Sequence, residues 1–191
     1  REMRAGYAEI LKYGLIMNAD FYAWCERHGE KLLAGNVEYL TRAVAACCDM
    51  KAQVVGKDEQ ESADRALLNF GHTFGHALEA ECGYDGTLLH GEAVAIGMVM
   101  GLRLSAKLGL KVDGLEEGLS KHLKAIGMAA TPKDIRKDWD AQRIASHFIS
   151  DKKAEAGTLT FIVLDALGKA KVEKGVDPDL ALQVVKECVG G

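Results

Sequence analysis

Residues 65–92 read R-A-L-L-N-F-G-H-T-F-G-H-A-L-E-A-E-C-G-Y-D-G-T-L-L-H-G-E and hold three of the chain's six histidines. A helix drawn through Arg65–Glu81 at about 100° per residue sets Arg65, Asn69, His72 and His76 within an arc of about 60°. Phe70, Phe74, Ala77 and Glu81 fall on the opposite side. Such a polar stripe has two readings. It is a solvated helix face, or it is a metal site with anion-binding neighbours, because neutral imidazole is a common ligand for zinc and similar ions. Two helix-mates and the loop residue His90 seldom close a site alone, so the second reading requires a further ligand from elsewhere. Gly71 and Gly75 each cost a helix about 1 kcal/mol against Ala, which predicts close backbone approach at both.

Two other places carry groups that could take part. Glu9 and Lys12 lie one turn apart on an amphipathic segment, Arg4–Asn18. They read as an exposed ion pair worth a few tenths of a kcal/mol, or as part of a pocket. Lys51 falls on the apolar stripe of the helix Asn36–Gly56, among Val37, Leu40, Val44, Cys47 and Val54. It either snorkels past those neighbours or points into a polar pocket and binds an anion. His122 and His147 sit in ordinary amphipathic contexts and read as structural or solvent-facing.

The elements that must position these groups are mostly helical. Arg4–Asn18 is followed by a short helix Asp20–His28, capped by Asp20 and stopped by Gly29. Asn36 caps Asn36–Gly56. A charged connection Lys57–Asp64 leads into the histidine stretch, which breaks at Gly83-Tyr84-Asp85-Gly86. His90 stands directly before Gly91–Leu108, a helix apolar nearly all round and so the expected centre of the core. Helices follow at Gly114–Ile126 and Ala141–Phe148. After the polar patch Ser150–Lys153, residues 158–164 and 170–173 predict a small hairpin turning at Gly168. Asp177-Pro178 opens a last helix, Asp179–Cys188. The fold class expected is mainly α with one hairpin.

Composition excludes several functions. The 191 residues are 48% hydrophobic, which suits a domain of ordinary size with a real core, and the formal net charge is −4. That balance gives no electrostatic footprint for nucleic acid or a membrane surface. No apolar run reaches the roughly 18 residues of a membrane span. Five cysteines without a C-x-x-C pair read as reduced thiols of a cytoplasmic protein. Neither dinucleotide nor P-loop glycine fingerprints occur, and H-E-x-x-H is absent.

The blocks L-N-F-G-H-T-F-G-H-A-L-E at 68–79 and L-H-G-E-A-V-A-I-G-M at 89–98 resemble the 3-dehydroquinate synthase family. So do G-Y-A-E-I-L-K-Y-G at 6–14, K-A-Q-V-V-G-K-D-E at 51–59 and D-K-K at 151–153, in the family's order. The resemblance implies a C-terminal helical metal- and substrate-binding domain over 1–191, with the NAD-binding domain in an N-terminal half that this chain lacks. It implies conversion of 3-deoxy-D-arabino-heptulosonate 7-phosphate to 3-dehydroquinate and phosphate in the shikimate pathway. NAD+ and a divalent metal, zinc or cobalt, are the cofactors so implied. By resemblance Glu9, His72 and His90 are the metal ligands. Lys12 and His76 are catalytic positions. Lys51 and Arg65 bind the substrate carboxylate, and Asn69, His76 and one of Lys152 and Lys153 lie on the phosphate side. The expected partner is a small sugar phosphate, with a homodimer as the intact enzyme and the fragment alone inactive. The alternatives are a sister sugar-phosphate cyclase such as 2-deoxy-scyllo-inosose synthase, or a metal-binding helical module without chemistry of its own.

Overall fold

A computed structural model describes residues 1–57, 63–149 and 159–190. In chain order the elements are α1 (Glu2–Met17), α2 (Ala19–Leu33), α3 (Val37–Lys57), a short α4 (Ala63–Ala66) running into a 3-10 turn (Leu67–Asn69), α5 (His72–Glu81), α6 (His90–Lys107), α7 (Leu115–Ala125), a 3-10 turn (Pro132–Asp134), α8 (Ala141–Ile149), β1 (Leu159–Ala166), β2 (Lys169–Val176) and α9 (Pro178–Val189). The architecture is mainly α with one antiparallel hairpin, β1 paired to β2 with Ile162 opposite Val172. Lys152, Lys153 and the rest of the Ser150–Lys153 patch lie outside the described residues.

Helix α6 is the central element. Ala93 through Leu102 are all buried along it, as its continuous apolar run predicts. One side packs with α1, α2 and α7 around Tyr7, Leu11, Phe70 and Met98. The other side packs with α5, α8, α9 and β1 around Phe74, Ile96, Met100 and Phe161.

Glycines set how closely the helices around α6 approach. A Cβ at Gly97 would collide with the carbonyl oxygen of Gly71, and one at Gly75 would lie 3.0 Å from the Ala93 oxygen. A Cβ at Gly91 would collide with the Ala5 backbone of α1. The starts of α1, α5 and α6 are thus drawn together backbone against backbone, and the histidines sit at that junction.

Four details differ from the sequence reading. Arg65–Glu81 is not one helix: it breaks at Phe70-Gly71, where Gly71 adopts φ 81° and precedes the first residue of α5. A side chain with a Cβ rarely takes that conformation, so Gly71 serves the turn and does not burden a helix. Asn18, not Asp20, caps α2, accepting from the Phe21 amide at 2.9 Å. Gly29 does not stop that helix but lies inside it against the Tyr7 hydroxyl, where a Cβ would come within 2.8 Å. On α3 the buried positions are Ala43, Met50 and Val54, while Val37 and Val44 are exposed. The face is therefore rotated from the expected one, and Lys51 is exposed and not buried in an apolar stripe.

Candidate metal centre

The break at Gly71 decides where the histidines point. His72 is the first residue of α5 and His90 the first of α6. Their rings lie 5.3 Å apart, with His76 one turn along α5 at 5.4 Å from His72 and 5.7 Å from His90. Each of the three offers a nitrogen within 4.8 Å of the others. Helix α1 closes the group by presenting Glu9, whose Oε1 is 3.8 Å from His72 Nε2 and 4.0 Å from His90 Nε2.

The hydrogen bonds leave these facing atoms unused. His72 Nδ1 lies 3.2 Å from the Phe70 carbonyl oxygen, which can only accept, so Nδ1 carries the proton. His90 Nδ1 likewise lies 3.1 Å from Glu79 Oε2. Both Nε2 lone pairs are then free toward Glu9. Glu9 Oε2 accepts from the buried Lys12 ammonium at 2.6 Å. Glu9 Oε1 is buried and without a hydrogen-bond partner among the described residues. A buried carboxylate oxygen in that condition is costly.

A divalent cation among these atoms would remove that cost. Two ligands about 2.0–2.2 Å from one ion in tetrahedral array stand about 3.3–3.6 Å from each other. The observed gaps of 3.8 and 4.0 Å are slightly wider than that and too long for hydrogen bonds. The donor set, one carboxylate oxygen and two neutral imidazole nitrogens, suits zinc and similar metals. Burial, and then the Lys12 ammonium, hold the His72 pKa below the ordinary histidine value, against the pull of the Phe70 carbonyl and Glu9. Neutral imidazole is the form that coordinates.

The other expected residues are placed less closely. Lys12 is buried at 4% exposure and is no surface ion pair. His76 is exposed and borders a cavity of about 370 Å³ with Thr73, Tyr84 and His147. With the helix broken, Arg65 lies in α4 and Asn69 in the 3-10 turn. Both are exposed, as is Lys51 on α3. Sequence reasoning missed Glu79. Its signal was available: Glu79 falls two turns after His72 on the histidine side of the helix, and an acidic residue there must find a partner when buried.

A family model described as 3-dehydroquinate synthase C-terminal matches residues 6–154. The 3-dehydroquinate synthase of Brucella suis is 45% identical over 189 residues, and that of Brucella ovis 44%. Each alignment covers 98% of this chain and 50% of the relative, so the chain spans about half the length of the curated relatives it matches. Among solved structures, a 2-deoxy-scyllo-inosose synthase complexed with carbaglucose-6-phosphate, NAD+ and Co2+ superposes with a TM-score of 0.78 at 24% identity, covering 97% of this chain and 52% of that one. A 2-epi-5-epi-valiolone synthase from Streptomyces hygroscopicus with NAD+ and Zn2+ gives a TM-score of 0.78 at 22% identity, covering 97% and 51%. At these identities the likeness establishes a shared fold.

Proposed function

This chain belongs to the 3-dehydroquinate synthase C-terminal family, and from that premise we propose that it forms the metal- and substrate-binding domain of a 3-dehydroquinate synthase. The intact enzyme would convert 3-deoxy-D-arabino-heptulosonate 7-phosphate to 3-dehydroquinate and phosphate in the shikimate pathway, in the cytoplasm, as a homodimer. The observation that carries the reading is the unpartnered, buried Glu9 Oε1 facing the free Nε2 atoms of His72 and His90.

In this reading Glu9, His72 and His90 hold a divalent ion, zinc or cobalt. The ion supplies Lewis acidity toward substrate hydroxyl oxygens, and NAD+ in the N-terminal domain supplies a reversible hydride acceptor. Lys12 holds Glu9 Oε2 at 2.6 Å, which fixes the carboxylate's rotation and leaves Oε1 to the site. Its buried charge also favours an anionic substrate nearby. His76 borders the cluster from the open side, where an imidazole can contact a phosphate oxygen or exchange a proton. Lys51 and Arg65 take the substrate carboxylate, and Asn69 with Lys152 or Lys153 the phosphate. These last roles rest on the family motif. The chain's share in the reaction is positioning and charge stabilisation.

The test is release of inorganic phosphate by the full-length protein with NAD+ and Co2+, offered the heptulosonate phosphate or glucose 6-phosphate. Turnover of the first substrate only is expected, and none from the 191 residues alone. Turnover of glucose 6-phosphate only would move the chain to the inosose synthases. Turnover by the 191 residues alone would overturn the division of labour between domains.

A further inference from the structure

We propose that Glu79 is a positioning residue for His90: it accepts the Nδ1 proton, fixes the ring's tautomer and so aims the Nε2 lone pair at Glu9 Oε1. The inference for metal binding rests on the metal-site reading above. The inference for the tautomer does not.

His90 needs such a device more than His72 does. Its side chain is 50% exposed, against 14% for His72, and it stands at the start of α6 directly after a loop. A solvated neutral histidine places its proton preferentially on Nε2, which would block the atom that faces Glu9. Packing cannot hold a half-exposed ring, so a directional acceptor must. Glu79 supplies one from the preceding helix. Its side chain is 11% exposed, and its Oε2 lies 3.1 Å from His90 Nδ1. Buried as Glu79 is, a carboxylate is costly without a partner. The two histidines are therefore oriented by different acceptors: a backbone carbonyl fixed by the Gly71 turn for His72, and a charged side chain for His90. A carboxylate behind an imidazole also raises the ring's basicity as a ligand.

Long-range 15N–1H spectra of the metal-free chain at pH 8 read the tautomer directly. The wild type should show His90 with a protonated Nδ1 and an unprotonated Nε2. Glu79→Leu should move the proton to Nε2 with the amide spectrum otherwise retained. Glu79→Gln should keep it on Nδ1, because the carboxamide oxygen still accepts. Co2+ titration of the same samples should show affinity falling about 10- to 100-fold in Glu79→Leu, and by the lower end of that range or less in Glu79→Gln. An unchanged His90 tautomer in a folded Glu79→Leu chain would overturn the proposal. Should that variant fail to fold, the wild type decides: a His90 ring carrying its proton on Nε2 would overturn it. If wild type shows the expected tautomer yet binds no Co2+, the positioning stands and the metal reading fails.

Discussion

His72 and His90, which face Glu9 of α1, and His122, which meets Tyr7 of the same helix, are the same side chain in opposite conditions. His122 on α7 meets Tyr7, whose hydroxyl donates to the Cys25 carbonyl at 2.8 Å and so accepts from His122 Nε2 at 2.8 Å. That contact is complete: each polar atom named in it has its partner. Around His72 and His90 the outward nitrogens are tied and the inward ones are not, and they face a carboxylate oxygen that is also unpaired. A histidine is not itself the mark of a site. The mark is a set of acceptors left over after the fold has satisfied everything it can.

The largest effect should come from the backbone seam that creates the first region. Gly97→Ala would drive a methyl into the Gly71 carbonyl of a packed junction that cannot shift without moving His72. A loss of about 3 kcal/mol is expected, or a fall in Tm of about 6–12 °C for a chain of this size, with Co2+ binding impaired. On the His122 helix, Gly118→Ala meets nothing within 4 Å and should stabilise by about 0.5–1 kcal/mol. Equal effects in thermal melts would show that the two helices are not packed as differently as described.

Next come the histidines themselves. His72→Ala and His90→Ala should weaken Co2+ binding by more than the roughly 100-fold upper range of an outer-shell substitution. His122→Ala should leave it unchanged. His76→Ala sharpens the assignment, because the three imidazoles are close enough to share an ion. Retained affinity leaves His76 to the substrate, whereas a loss as large as that for His90 would place it among the ligands.

Much of this was legible in the sequence, and for identifiable reasons. The all-apolar run of α6, the caps at Asn36 and Asp177, and the hairpin around Gly168 follow local rules that tertiary packing did not override. Close approach at Gly71 and Gly75 was also readable, since an interior helix glycine must serve something. The conformation of Gly71 was not: helical periodicity continues through residues 65–81, and only the packing of α5 against α6 forces the turn. The rotation of α3 was illegible for a similar reason. Its apolar positions exceed what α1 and α2 can cover, so Val37 and Val44 remain exposed. The stripe supplied His72 and His76, but its neighbourhood with Glu9 depends on contacts across more than sixty residues, which spacing cannot show. Lys12 could not be told from a surface lysine, because its burial is set by tertiary packing that helical spacing does not show.

The smallest expected effect tests the completeness of the His122 contact. Burial lowers the His122 pKa below its ordinary value of 6.5, partly opposed by Glu26. Below that value the unfolded chain therefore binds a proton that the folded chain resists, and stability declines as pH falls from 6.5 through the lower folded-state pKa. The contribution is whole above 6.5 and lost below. His72 and His28 are also lowered, mainly by burial, so the wild-type profile alone mixes several groups. His122→Gln separates them: the carboxamide can still donate to Tyr7 Oη but does not titrate in this range. Between pH 7.5 and pH 5 the wild-type Tm should fall further than that of His122→Gln, while Co2+ affinity at pH 7.5 stays the same in both. Parallel falls would mean that His122 takes up its proton as easily folded as unfolded. The contact with Tyr7 would then be open to water, and the contrast with the histidines facing Glu9 would rest on geometry alone.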